Sequence, residues 1–292
     1  MGTPPDLIEL HAGHDSVVLD PAAGGRVRSL VAGGRERLRP PPPHLSPDDA
    51  MRWGSFLMAP WVGRLRDGRL PFEGRVHRFE PNLGGHAIHG LCFTAPWAVE
   101  RSSDREAVLS FDLAATAWPF GGRIGQVVEL TPGVLRMRAE IAATGEAMPA
   151  AVGWHPWFRK PEGEEVWLQV PADRVLLAED ELLPTGEIAP VEGRTDLRTG
   201  RVVQMLMLDD AFVDVRRATL RWSDLELEIQ GGRTINSMVV YVADDAVCVE
   251  PQTAWPDAPT LAAAGHPDTG LVTLRQGESL VAEQTWTWRE VA

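Results

Sequence analysis

From Val128 to Ile141 the chain alternates. Val128, Leu130, Leu135, Met137, Ala139 and Ile141 share one face, Arg136, Arg138 and Glu140 the other, and Pro132-Gly133 lies between the halves. A period of two broken by a turn signal is an antiparallel hairpin with one buried and one solvated face. The pattern returns at Leu220 and Trp222, then at Leu225, Leu227 and Ile229 against Glu226 and Glu228. Val17-Val18-Leu19 and Val27–Val31 read as strands on either side of Gly24-Gly25, and residues 70–79 as a hairpin turning at Glu73-Gly74. Val239–Val242 and Ala246–Val249 flank Asp244-Asp245, and Leu271–Leu274 and Leu280–Trp288 flank Gln276-Gly277. Residues 40–43, all proline, predict a surface loop in polyproline II form. No long segment has helical periodicity with caps, and no internal repeat is visible. The expectation is an all-β chain, a large antiparallel β-sandwich or barrel, with residues 1–292 forming a single domain.

At 292 residues there is enough chain for a large core. A net charge of -13 argues against nucleic acid or an anionic membrane as partner. Cys92 and Cys248 are far apart and lack metal-type spacing, which argues against a disulfide framework or zinc finger. The amino-terminal residues show neither a basic nor an apolar signal region, and no run reaches the roughly 20 apolar residues of a membrane helix. A cytoplasmic enzyme or binding protein is the expectation, and the sequence carries no signal for an oligomeric state.

Five stretches hold chemistry-bearing residues. The apolar run Ala246–Val249 delivers Glu250 at the end of a buried strand, with Pro251 expected to stop the ladder at once and Gln252, Trp255 and Asp257 following. Arg64 and Arg66 lie in a Gly-punctuated loop. His86 and His89 stand between glycines, where backbone can approach a ligand closely. His155 sits among Trp154, Trp157 and Phe158, and Asp209-Asp210 follows Met205-Leu206-Met207-Leu208. Each has a plain structural explanation: solvated arginines, turn-capping or core histidines, and an aspartate pair in a turn.

Taken together, the stretches resemble the aldose 1-epimerase (galactose mutarotase) family. The matching text is Gly63-Arg64 followed by Gly68, the His86-Ala87-Ile88-His89-Gly90 motif, His155 in its aromatic setting, Asp209-Asp210-Ala211-Phe212, and Glu250 followed by Gln252-Thr253 and Pro256-Asp257-Ala258. The motifs occur in family order over most of the chain. Two departures mark a divergent branch. Gly63 stands where the family usually has an asparagine, and Gly153-Trp154-His155-Pro156 replaces an asparagine-histidine-serine wording.

The resemblance implies a galactose mutarotase-like supersandwich that binds a small-molecule aldose on a concave face, with no metal, nucleotide or other cofactor. It implies Glu250 as base at the anomeric hydroxyl and His155 as acid at the ring oxygen, with Arg64, His89 and Asp209 binding the sugar and Asp210 as the alternative if the register slips by one. Trp154 or Trp157 would stack on the sugar. Other readings stay open. A metal-dependent β-barrel enzyme would use His86, His89, His155 and Glu250, and a glycoside hydrolase would pair Asp209 with Glu250. A non-catalytic sugar-binding protein, or a mutarotase for a charged or phosphorylated sugar held by Arg52, Arg64 and Arg66, completes the set.

Overall fold

The computed structural model describes residues 6–291 apart from Leu45, Pro47 and Asp48. Two large antiparallel sheets, of 11 and 9 strands among the described residues, face each other. The alternating hairpins form the 9-stranded sheet. Arg123–Thr131 pairs with Val134–Ala142, which pairs with the long Ser279–Glu290 strand, and that strand pairs in turn with Leu225–Gly231. Their apolar faces supply Ile124, Val128, Leu135, Met137, Ile229 and Trp286 to the core between the sheets. Sheet-to-sheet contacts include Phe158 against Trp286, with ring centroids 5.0 Å apart, and the Trp222 indole N–H donating to the Arg159 carbonyl at 3.0 Å. The all-β expectation holds.

The 11-stranded sheet runs in the order Ile8–Ala12, Asp15–Asp20, Arg26–Ala32, Ser55–Met58, Gly153–Arg159, Ala246–Gln252, Ser237–Val242, Asp209–Val213, Arg174–Ala178 and Pro184–Pro190, with Arg35–Glu36 paired beside Arg26–Ala32. Its middle strands are covered on both faces. All seven residues of Ala246–Gln252 are buried. Val247 and Val249 point into the inter-sheet core, whereas Ala246 and Cys248 pack with Phe56, Met58 and Trp157 on the far side. Such strands read as continuous apolar runs because neither face meets water.

Pro251 does not end its strand. The ladder to Ser237–Val242 continues through Met238–Pro251 to Ser237–Gln252. An antiparallel strand directs each N–H to only one neighbour, so a proline is tolerated where that neighbour needs no donor. Here the pairing with Gly153–Arg159 is interrupted. It holds at Gly153–Gln252 and again at Trp157–Cys248, and Pro156 and Pro251 both fall in the gap.

The proline-only residues 40–43 lie in the irregular connection before Ser55–Met58. The one α-helix among the described residues, Ala258–Ala263, is short, and no described helix is long and apolar enough to cross a membrane.

Gly90 follows the His-x-x-His stretch at φ +80°, and a Cβ there would lie 2.0 Å from the Ala59 carbonyl oxygen. Gly90→Ala therefore meets both a backbone clash and a left-handed φ. We expect a loss of about 2–4 kcal/mol in urea denaturation, against about 1 kcal/mol for Gly74→Ala, which shares the left-handed φ at +74° but where a Cβ meets nothing within 4 Å.

Candidate active site

A cavity of about 1060 Å³ opens on the outer face of the 11-stranded sheet. Strand register lays out its floor. Leu176, Ala211, Val239 and Glu250 stand side by side across four neighbouring strands. One step along, Asp209, Tyr241, Cys248 and Trp157 make a second row on the same face. Asp210 also borders the cavity, but its carboxylate is held by the Arg194 guanidinium, with one bond of 2.9 Å. Asp209 is therefore the carboxylate left free.

His155 and Trp157 share the cavity face, and Trp154 points the opposite way into the inter-sheet core. Of the two tryptophans considered for stacking, only Trp157 borders the cavity, because residues i and i+2 of a strand share a face. The His155 imidazole is layered between Phe56, at 4.8 Å and 26°, and Trp157, at 5.3 Å and 11°. Its Nε2 lies 3.3 Å from Glu250 Oε1. Glu250 Oε2 accepts a hydrogen bond of 3.1 Å from the Gln252 amide.

Arg64 and His89 come from above the sheet. Arg64–Leu65 pairs with Ala87–Ile88, and the His89 N–H donates to the Gly63 carbonyl at 2.9 Å. His89 adopts φ +65° and lies edge-on to His155 at 4.9 Å. Underneath, buried Arg26 donates to the carbonyls of Ala23, Trp53 and Phe93 at 2.7, 3.1 and 2.8 Å, and its guanidinium stands 5.1 Å from the Phe56 ring. Phe56, Tyr241 and Arg26 went unread in the sequence, and Gln252 and Cys248 were named there without a role at the site. Only Gln252 left a signal, its i, i+2 spacing from Glu250 on one strand.

His86 does not reach the cavity. Its Nδ1 accepts from the Asp67 N–H at 3.1 Å and its Nε2 lies 3.1 Å from Glu181. The four-residue metal set with His86 is therefore not assembled. The group that does come together is His155, Cys248 and Glu250, whose donor atoms lie within 4.8 Å of one another. Arg66 is likewise turned away, to Glu179 at 2.8 Å and Asp257 at 3.6 Å. Asp257 is buried beside the short helix, accepting from Thr260 Oγ1 at 2.8 Å. The Glu179 contact ties the arginine loop to the 179–182 loop, and the Glu181 contact ties the 179–182 loop to the histidine loop. Leu182 and Leu83, one from each, border the cavity mouth.

Burial sets the protonation of the floor. It pulls His155 down to about 3 and His89 well below the ordinary imidazole value, the neighbouring cations adding to both shifts. It pushes Glu250 well above the carboxylate range, reinforced by Asp209 and opposed by Gln252 and Arg64. Asp209 rises to about 6, again by burial, with Arg64 opposing. Burial thus favours the neutral form of both the imidazole and the carboxyl.

The paired sheets have a galactose mutarotase-like fold. The aldose 1-epimerase family model matches residues 6–287, and the chain belongs to that family. The fold is similar to a galactose mutarotase-like protein from Clostridium acetobutylicum, with a TM-score of 0.86 at 21% identity over 97% of this chain and 95% of that one. It is also similar to a GalM/aldose epimerase homologue from C. elegans, with a TM-score of 0.83 at 21% identity over 98% and 99%. In sequence the chain is 26% identical over 149 residues to the uncharacterized protein YphB of Escherichia coli K12, a match spanning about half of each chain.

A carboxyl whose pKa rises on folding favours the folded state while protonated, below its unfolded value of 3.8, and loses that contribution as pH climbs through about 6. Asp209→Asn removes the burial penalty carried at neutral pH. We expect it to gain about 1–2 kcal/mol at pH 7, discounted for the solvent contact Asp209 retains. The gain shrinks toward zero below pH 4, which urea denaturation at both pH values reads.

Proposed function

We propose that the protein is an aldose 1-epimerase, interconverting the α and β anomers of a hexose. The reading rests on one observation above the rest: an imidazole and a carboxyl 3.3 Å apart on the floor of an open cavity. Anomer exchange removes a proton from the anomeric hydroxyl and delivers one to the ring oxygen. The ring opens to the aldehyde, the C1 carbonyl turns, and closure reverses both transfers. Glu250 is the base at the anomeric hydroxyl and His155 the acid at the ring oxygen.

One proton serves the pair. It moves from Glu250 to His155 to give the working ion pair, which Arg64 helps hold. Ring opening then returns both groups to the neutral forms that burial favours, so the transfer discharges two buried charges. His89 and Arg64 hold sugar oxygens where negative charge develops. Asp209 accepts hydrogen bonds from ring hydroxyls, and the Trp157 ring borders the sugar's apolar face. Polarimetry of freshly dissolved α-glucose and α-galactose tests this. Wild type should accelerate the approach to equilibrium, and Glu250→Gln and His155→Asn should each lose about 10²–10⁴-fold in kcat. Binding of either sugar without acceleration would support a non-catalytic sugar-binding protein.

A second reading has the His155, Cys248 and Glu250 group behind it, since imidazole, thiolate and carboxylate suit a zinc-like ion. Chelator treatment separates the two. The acid–base reading expects unchanged rates after chelation and in Cys248→Ala, whereas loss in both would favour the metal.

A further inference from the structure

Gln252 has no exposure to solvent and stands two residues after Glu250 on the same strand face. Its Nε2 donates to Glu250 Oε2 at 3.1 Å, and the other carboxylate oxygen faces His155 at 3.3 Å. The two oxygens of Glu250 are thus distinguished, one pinned by an amide and one left for proton traffic. The Gln252 Oε1 atom is buried without a hydrogen-bond partner, in a residue that borders the cavity. A buried amide oxygen left unpaired is unfavourable, and a donor entering the cavity would relieve it.

The neighbouring strands leave Gln252 free for that purpose. Gly153 pairs with it, and a Cβ at Gly153 would come within 3.0 Å of the Gln252 Cγ. The glycine makes room for the side chain to lie along the sheet. On the other side Ser237 directs its hydroxyl to the Ala254 carbonyl at 3.1 Å and does not compete for the amide.

We propose that Gln252 orients Glu250 through its amide nitrogen and accepts, through its amide oxygen, a hydrogen bond from the sugar hydroxyl next to the anomeric carbon. The assignment rests on the mutarotase reading. Glu250 then meets the C1 hydroxyl, and His155, on the adjacent strand, meets the ring oxygen. The remaining substituent of C1 is C2. Its hydroxyl neighbours the C1 hydroxyl, so an acceptor beside the base meets that group. Glucose and galactose share this hydroxyl, and 2-deoxy sugars lack it. A site built around a substrate hydroxyl rejects the analogue without it, because its own polar atom is then left unpaired.

The test is mutarotation of α-glucose and α-galactose and of their 2-deoxy counterparts, with wild type, Glu250→Gln, Gln252→Met and Gln252→Leu. Wild type should lose at least about tenfold in kcat/KM on the 2-deoxy sugars. Gln252→Met should be weakened on the parent sugars and no longer distinguish the two sets. The alkaline limb of its kcat/KM pH profile should move upward, because the pair's single proton is lost from Glu250 and the donor that favours ionised Glu250 is gone. A folding defect alone would produce neither the levelled discrimination nor the shifted limb. Activity that Glu250→Gln abolishes, with discrimination and pH limb unchanged in the Gln252 variants, overturns this proposal and leaves the mutarotase reading standing. A wild-type ratio near one between parent and 2-deoxy sugars overturns it whether or not either Gln252 variant folds. Wild type inactive on all four sugars overturns both.

Discussion

A carboxyl and an imidazole side by side and out of water are tolerable only where the scaffold supplies every other contact they make. Much of the outer face of the 11-stranded sheet answers that demand. Gln252 holds one oxygen of Glu250, and the rings of Phe56 and Trp157 enclose His155. Arg26 anchors the turns that carry Trp53 and Phe93, its charge shielded by three carbonyls. The arrangement exists because the middle strands of this sheet are buried on both faces. One face joins the inter-sheet core, and the other is available for a dry floor.

That double burial also explains what the sequence made legible. Strands of the 9-stranded sheet alternate between core and solvent, and their hairpins are plain in the text. Gly153–Arg159 is a run of aromatics with no polar face to orient it, so Trp154 and Trp157 looked interchangeable although they point in opposite directions. Reading Pro251 as a stop had a second consequence. With the strand ended at Glu250, the i, i+2 relation of Gln252 to it disappeared. Proximity across strands hid the rest. Nothing local in the sequence says that Cys248 lies beside Trp157 and Tyr241, or that His86 turns to Glu181 while His89 turns inward.

The two departures from family wording have local structural reasons. Gly63 adopts φ +57°, and a Cβ there would lie 2.7 Å from the Pro256 Cβ. With the backbone as it lies here, a side chain at 63 has no room beside the Pro256 ring. Gly153, in the rewritten stretch before His155, gives its space to Gln252.

Floor and rim of the cavity are held by different forces. The floor consists of ladder pairing and tightly packed rings. The rim is tied by the Arg66–Glu179 ion pair, whose carboxylate is 52% exposed, and by a hydrogen bond between His86 and Glu181. Dissolved ions screen exposed charges and leave buried ones almost untouched. Ionic strength therefore addresses the two layers separately: salt loosens the Arg66–Glu179 tie at the rim, and the buried carboxyl and imidazole beneath lie in a medium that salt does not enter.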